Sequence, residues 1–446
     1  MVNVLAKVFD NVKGTYDYLA DRQLLREKVK RVLQDVFLKY GFAPVETPIV
    51  CKYDLLSSKY SEGADILKEM YKLSDQGQRE LGLRYDLTIT FAKLISSNRN
   101  IMLPYKRYEI GKAFRDGPVK LGRNREFTQC DIDCVGIKSV MAEAEYMVMT
   151  EEIYRKLGID TEILFNNRKI MMGIIESVLG KQNDEKTRSI IMLIDKYEKI
   201  SKNMLEEEFD NLGIGKEKVS ELNQLLKCDY ITLKEKIKGY PKNALIEAGF
   251  WEVDEMIGYL EKTRVYDKMT FAPYLARGID IYTGVVWEIF LKKRKVADVE
   301  FSVSLGGGGR YDKIITQFID DGKEYPAVGM SFGLDVICEV LNFINKDTRQ
   351  SCVDVLIIPI GTQKESFEFA NNLRKQGICV DIEKRMVRLK KSMDYANKMS
   401  IPFVVAIGED EILSNRVFVR NMNESENKEF AMNDLQNIVR YITEHK

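Results

Sequence analysis

Apolar residues recur at helical spacing early in the chain. Leu25, Val29, Val32 and Val36 form one stripe, Asp21 can cap its start and Gly41 ends it, so the spacing predicts a helix over 21–40. The next stretch, FAPVETPIV (42–50), is predicted to be extended, because Pro44 and Pro48 forbid a helix interior and suit a sheet edge or an interface. Residues 83–95 begin as a strand and turn helical. Two alternating runs, 108–115 and 126–136, flank a loop that holds Gly117, Pro118 and Gly122, which is the pattern of a long hairpin. A helix over 139–157 follows, closed by Gly158, with Met141, Met147 and Met149 expected to fill core.

Between about 168 and 265 the pattern becomes charged and helical, with few strand signals and Pro241 as punctuation, and a helical insertion is expected. Strand character returns at 280–291 and again at 298–305, joined by the basic run KKRK (292–295), which is read as a solvated turn. LGGGGR (305–310) is expected to be a bend. Its glycines let a ligand approach the backbone, and no Lys-Ser or Lys-Thr follows to make it a P-loop. A polar linker covers 342–351. Beyond it, strands at 353–359, 379–383 and 403–407 alternate with helices at 362–376 and 389–399, ending in a strand near Val417, which predicts a small α/β domain. At roughly 150 residues per domain, 446 residues suit about three domains. The expected division is a core of 1–167 with 266–341, a helical insertion of 168–265, and an α/β domain of 352–446.

Composition narrows the chemistry. Lys plus Arg and Asp plus Glu both number 68, so a polybasic, purely electrostatic nucleic-acid binder is disfavoured, although a local basic patch is not. The single histidine, His445, is the second-to-last residue. Ser-His-Asp triads, HExxH zinc sites and facial-triad iron sites are therefore excluded, and proton transfer falls to carboxylates, Tyr, Lys, substrate or water. The seven cysteines contain no CxxC pair. Cys130 and Cys134 lack the partners of a zinc site, so no metal site is expected, and buried thiols in a reducing compartment fit better. The segment MVNVLAKVFDNVKG has no signal-peptide apolar stretch, and no run reaches the ~18 residues of a membrane span, so the expectation is a cytoplasmic protein with no membrane association.

Three segments carry candidate chemistry. Lys112, Arg115, Lys120, Arg123 and Arg125 crowd one loop against Asp116 alone, which suits polyphosphate or a nucleic-acid end, or else a solvated surface. Alternation in the following strand puts Phe127, Gln129, Asp131 and Asp133 on one face, a floor for a small polar ligand with a stacked ring. In LARGIDIY (275–282), Arg277 leads into an apolar strand and calls for an anionic partner, either a structural ion pair or a ligand.

Together these residues resemble the histidyl-tRNA synthetases, a class II aminoacyl-tRNA synthetase family. LRYDLT (83–88) is similar to that family's amino-acid-binding motif, and FRDGP with REFTQCDID, spanning 114–133, resembles motif 2 and its loop. LARGIDIYTG (275–284) is similar to the histidine-specific motif, GGGGRYD (306–312) to the second glycine-rich signature, and GFAPVETPI (41–49) to motif 1. The C-terminal segment resembles a class IIa anticodon-binding domain. The resemblance implies an α+β fold: a class II antiparallel-sheet catalytic domain with a helical insertion, followed by an α/β anticodon-binding domain. It implies that ATP and histidine form histidyl-adenylate with Mg²⁺ on the phosphates, that the histidyl group passes to the 3′ end of its tRNA, and that the protein is a homodimer.

Residue by residue, the resemblance assigns Arg115 and Arg277 to the α-phosphate, with Arg277 also on the substrate carboxylate. Asp86, Thr88 and Gln129 would hold the amino and carboxylate groups of histidine, and Asp133 and Tyr282 would read its imidazole in a pocket shared with Tyr311. Phe127 would stack on adenine near Gly333, and Arg123 and Arg125 would meet the tRNA acceptor end. Two departures stand out. The family's motif 3 usually ends Gly-Leu-Glu-Arg, and here Gly333, Leu334, Asp335 and Val336 stand there, with valine where arginine would reach ATP. Ile281 occupies a frequent tyrosine position, and Asp133 is one methylene shorter than the glutamate of some members. Val336 motivates an alternative reading, a non-catalytic paralogue that senses histidine or tRNA.

Overall fold

The computed structural model describes residues 9–58, 65–195, 201–277, 281–296, 299–344, 350–385 and 387–446. The chain divides into two compact units, one of residues 1–16 and 29–344, the other of residues 17–28 and 345–446. An eight-stranded sheet organises the first. Its order is Ala43–Pro44, Tyr105–Phe114, Glu126–Val135, Ala327–Gly333, Gly306–Arg310, Val285–Leu291, Thr161–Asn167 and Met269–Phe271. The six inner strands are antiparallel neighbours, and each outermost strand pairs in parallel. The predicted hairpin forms over its whole length, from Tyr105 opposite Val135 to Phe114 opposite Glu126.

Helix packing completes this unit. Ala20–Lys39 buries Val29, Leu33, Val36 and Phe37. The buried face is turned away from Val32 because Phe37 wedges between Tyr108 and Phe332, at ring-centroid distances of 5.5 and 5.7 Å. Met141–Leu157 sinks Met147 and Met149, but Met141 is exposed at the first turn, which corrects its core assignment. Two buried phenols on this helix find carbonyl partners in the sheet region: Tyr146 donates to Val328 at 3.0 Å and Tyr154 to Leu305 at 3.1 Å.

The described residues between 168 and 260 are mostly helical, as the charged periodicity predicts. The side chains of Asn167, Ser201, Asp229 and Asn243 accept first-turn amides and cap four of these helices. Several strand expectations change. Only Val285–Leu291 of the 280–291 run is a strand, and Val299–Glu300 forms a two-residue ladder with Lys295–Val296. The glycine run is not a bend: Gly306–Arg310 is a fully buried inner strand. In the basic run Lys292 and Lys293 are solvated, whereas Arg294 pairs with Glu162 at 2.9 Å and lies 3.9 Å above the Phe290 ring. Leu334–Ile344 is a helix, so the polar linker cannot begin at 342, and residues 345–349 lie outside the described ones.

The second unit carries a five-stranded sheet in the order Val380–Ile382, Val355–Pro359, Phe403–Ile407, Arg416–Asn421 and Glu426–Ala431. The first three strands are parallel and the last two antiparallel. Helices Gln363–Lys375 and Leu435–Glu444 pack Phe369, Leu373, Ile438 and Ile442 onto Val355, Ile357 and Val405. Cys51, Cys130, Cys134, Cys228 and Cys338 are buried free thiols. Cys352 and Cys379 are free but exposed, against the expectation of burial. Among the described residues no helix is long and apolar enough to cross a membrane.

Candidate active site

A cleft of about 260 Å³ opens on the sheet of the first unit. Its floor comes from two antiparallel strands with Gln129 opposite Gly333, Asp131 opposite Ser331 and Asp133 opposite Gly329. Period-2 alternation turns Phe127, Gln129, Asp131 and Asp133 to this face, and all four line the cleft. Asp86 and Thr88 close one side at the start of the Thr88–Ser97 helix, where Asp86 Oδ1 also accepts the Ile89 amide at 3.1 Å. Arg277, Tyr282 and Tyr311 close the other. The middle of LARGIDIYTG, residues 278–280, lies outside the described residues.

Glycines make the cleft passable. A Cβ on Gly307 would stand 2.5 Å from Arg277 Nη1, so the arginine lies flat across the glycine strand only because that Cβ is missing. On Gly329 a Cβ would come within 2.2 Å of Asp133 Oδ1 and 2.7 Å of Tyr311 Cε1. The low strand propensity of GGGG is thus tolerated in an inner strand because the two flanking strands hold its backbone and the site needs its bare surface.

A buried charge network lies under the floor. Arg84 Nη1 is 2.8 Å from Glu109 Oε1, Arg107 Nη1 is 3.2 Å from Glu109 Oε2, and Arg107 Nη2 is 2.7 Å from Asp133 Oδ2. The last contact is close but not aligned as a hydrogen bond, and Asp133 Oδ2 has no hydrogen-bond donor. Tyr311 donates to Asp133 Oδ1 at 2.5 Å. Burial pushes the Asp133 carboxyl up, opposed by the Arg107 charge and the Tyr311 hydroxyl. Gln129 Nε2 donates to Ser331 Oγ at 3.0 Å, leaving Gln129 Oε1 without a partner. The unpartnered Gln129 oxygen in the cleft is placed to receive a donor.

Cations frame the opposite end. Arg277 Nε pairs with Glu288, one strand over, which fixes the guanidinium and leaves its Nη edge toward the cleft. Arg115 lies 5.1 Å from the Phe127 ring, donates to the Tyr85 carbonyl at 3.1 Å and has no carboxylate partner among the described residues. The loop itself is less charged than its composition suggests. Lys112 pairs with Glu126 at 2.6 Å, Arg123 with Glu69 at 2.8 Å and Arg125 with Asp116 at 3.1 Å. Gly333 lines the cleft, and Val336 is buried beneath the loop, where a Cβ on Gly122 would lie 3.0 Å from Val336 Cγ2. Asp335 accepts the Thr128 amide at 2.7 Å. The segment in the motif 3 position therefore packs against motif 2. Alternation places Asp131 on the floor without giving it a role, and Ser331 and Glu288 were not singled out from sequence. Nothing local marks the last two. Among the described residues no group of three or more His, Cys, Asp or Glu is placed to hold a metal.

Comparison with known proteins agrees with this geometry. The histidyl-tRNA synthetase family profile matches residues 14–337 and an anticodon binding domain profile matches residues 354–442. Histidine–tRNA ligase 1 of Bacillus cereus is 47% identical over 416 residues, which is 93% of this chain and 95% of that protein. Histidine–tRNA ligase 2 of Shouchella clausii is 42% identical over 93% of this chain and 96% of its own length. The crystal structure of histidyl-tRNA synthetase from Nostoc sp. superposes with a TM-score of 0.86 at 26% identity, covering 98% of this chain and 99% of that one. With its sheet, its motifs and relatives of this closeness over nearly its whole length, the chain belongs to the histidyl-tRNA synthetase family.

Proposed function

We propose that this protein is a histidine–tRNA ligase. A carboxylate oxygen of histidine attacks the α-phosphorus of ATP, the bond to the β-phosphate oxygen breaks, and pyrophosphate leaves. A hydroxyl of the terminal tRNA ribose then attacks the histidyl carbonyl and releases AMP. The observation that carries this reading is a single cleft joining the unpartnered Gln129 Oε1 and the buried Asp133 carboxylate to the Arg277 cation. Negative charge grows on the α-phosphate as the first bond forms, so Arg115 and Arg277 act as fixed cations there. Adenylation needs no general base, in keeping with a lone histidine at the chain end.

Asp86, Thr88 and Gln129 hold the amino acid's backbone groups. Tyr282 and the Asp133–Tyr311 pair read the imidazole, and Phe127 stacks on adenine beside Gly333. Mg²⁺ would come with the phosphates of the nucleotide. Arg123 and Arg125 sit in partly exposed ion pairs of about 1 kcal/mol or less each and can be given up to the tRNA acceptor end. Residues 168–265 form the insertion within a core of 1–167 and 266–341, and 352–446 read the anticodon. We also propose a cytoplasmic homodimer formed through the Ala43–Pro44 edge, next to which Ile49 and Val50 are exposed. The regulatory alternative finds no support in the relatives, each named a ligase.

The direct test is histidine-dependent exchange of pyrophosphate into ATP by the purified chain without tRNA. Robust exchange is expected, followed by charging of tRNA. Histidine binding without exchange would overturn the catalytic reading. A second prediction isolates the imidazole contact. Asp133→Asn keeps the Tyr311 hydrogen bond but loses the charge, and is expected to raise the KM for histidine at least ~10-fold, the cost of one charged hydrogen bond, with KM for ATP within about two-fold. Equal effects on both substrates would break the assignment. Asp133→Ala is the poorer test, because stripping a buried pair of one partner costs about 3–5 kcal/mol of stability.

A further inference from the structure

Asp131 is the acid in this cleft that the assigned chemistry leaves unused. It is 4% exposed, and its Oδ1 has no hydrogen-bond partner. From its own strand, Gln129 and Asp133 flank it on the same face. From the neighbouring strands, Glu109 and Ser331 stand opposite it, with Arg107 and Asp86 also close enough to act on it electrostatically. Arg277 and Tyr282 face it across the cleft. Of the two arginines beneath the floor, Arg84 pairs with Glu109, while Arg107 pairs with Glu109 and Asp133 and acts on Asp131 only through its charge. Asp131 has no ion pair among the described residues. The hydrogen bond with Ser331 is its one direct polar contact.

The floor and the network beneath it thus hold two cations against Asp86, Glu109, Asp131 and Asp133. A buried carboxylate in that setting is ionised only when a further cation arrives. Resting on the ligase reading, we propose that Asp131 is a substrate-binding residue that is protonated in the empty pocket, loses that proton to solvent when histidine binds, and as the carboxylate pairs with the substrate's ammonium group. The balance is simple: one proton leaves Asp131, one ion pair forms, and no electron moves. Burial supports the protonated empty state by pushing the carboxyl up to about 8. Protonated and ionised forms would then stand at about ten to one at pH 7.

The test is calorimetric binding of histidine to the whole chain between pH 6 and 9, in buffers of different ionisation enthalpy, for the native protein and Asp131→Asn. The native protein is expected to release about one proton more per histidine than the variant near pH 7. The ratio of variant to native Kd should climb about ten-fold per pH unit toward pH 8 and then level. Equal proton counts with a flat ratio would overturn the proposal, since a merely structural role for Asp131 predicts that result. Ser331→Ala provides an independent arm should Asp131→Asn fail to fold. Loss of the hydrogen bond that favours the ionised form should move the midpoint of the pH profile upward, and an unmoved midpoint would again overturn the proposal. A native chain that binds no histidine would overturn the ligase reading and this one together. Native binding and exchange with an unchanged proton count in Asp131→Asn would overturn this inference alone.

Discussion

Replacing Arg277 with alanine is expected to slow histidine-dependent pyrophosphate exchange by about 10³-fold, the scale set by losing a fixed donor or arginine from the developing charge of a phosphoryl transition state. The guanidinium is well placed for such an effect. Its Nε is held by Glu288, its Nη1 lies over the bare backbone of Gly307, and its side chain is 37% exposed toward the cleft rather than sunk in core. Because it is pre-positioned, it needs little reorganisation as charge moves onto the phosphate. The same partial exposure limits the structural cost. A partly exposed pair contributes about 1 kcal/mol or less, and at about 1–2 °C per kcal/mol for a chain of 446 residues the melting temperature should fall by only a degree or two. Arg277→Lys should recover part of the rate, since it restores the charge but not the rigid fork. Single-turnover adenylation measured beside a thermal melt separates the two effects. Exchange within about ten-fold of the native rate would remove Arg277 from the role given to it.

The order of elements was largely legible from hydrophobic spacing, and the failures have physical causes. The hairpin, the 139–157 helix and the α/β alternation after residue 352 are carried by local periodicity, and they form nearly where spacing puts them. Gly306–Arg310 escapes because strand propensity measures side-chain packing, and this strand has almost none. Its reason for being a strand lies in what must pass over it. Glu426–Ala431 escapes for a different reason: it is an exposed edge strand whose polar sequence carries no alternation. Leu435–Glu444 is legible as a helix, since Leu435, Ile438, Val439 and Ile442 repeat at helical spacing.

At the site, alternation alone brings Gln129, Asp131 and Asp133 to one face, because that information is local. Of the ion pairs that disarm the motif 2 loop, Lys112–Glu126 and Arg125–Asp116 lie within the hairpin, but Arg123–Glu69 is not local. Glu69 lies more than fifty residues from Arg123 in sequence, and only the fold shows that the excess charge rests chiefly on Arg115 and Lys120.

The second large effect is expected from a single methyl group. Gly329→Ala should raise the Kd for histidine about 100-fold or more, equivalent to about 2.7 kcal/mol, while leaving ATP binding within a few-fold. The added Cβ would overlap Asp133 Oδ1 at 2.2 Å and Tyr311 Cε1 at 2.7 Å, and neither neighbour has room to yield. Asp133 is anchored by Arg107, while Tyr311 is 2% exposed and tied to Asp133 through its hydroxyl. Nor can the backbone retreat, because Gly329 is locked in register between Asp133 on one side and Gly309 on the other. The cheapest relief is to break the Tyr311–Asp133 pair, which dismantles the imidazole end of the pocket and leaves Arg115 and Phe127 at the nucleotide end untouched.

Overpacking of this kind costs about 1–3 kcal/mol in stability, too little to unfold a protein of this size and enough to register in a melt. Calorimetric titration with histidine and, separately, with ATP distinguishes the local collapse from general damage. If both ligands weaken equally, the glycine is needed by the sheet. If histidine alone is lost, Gly329 is there because the Asp133–Tyr311 pair occupies the space its side chain would fill.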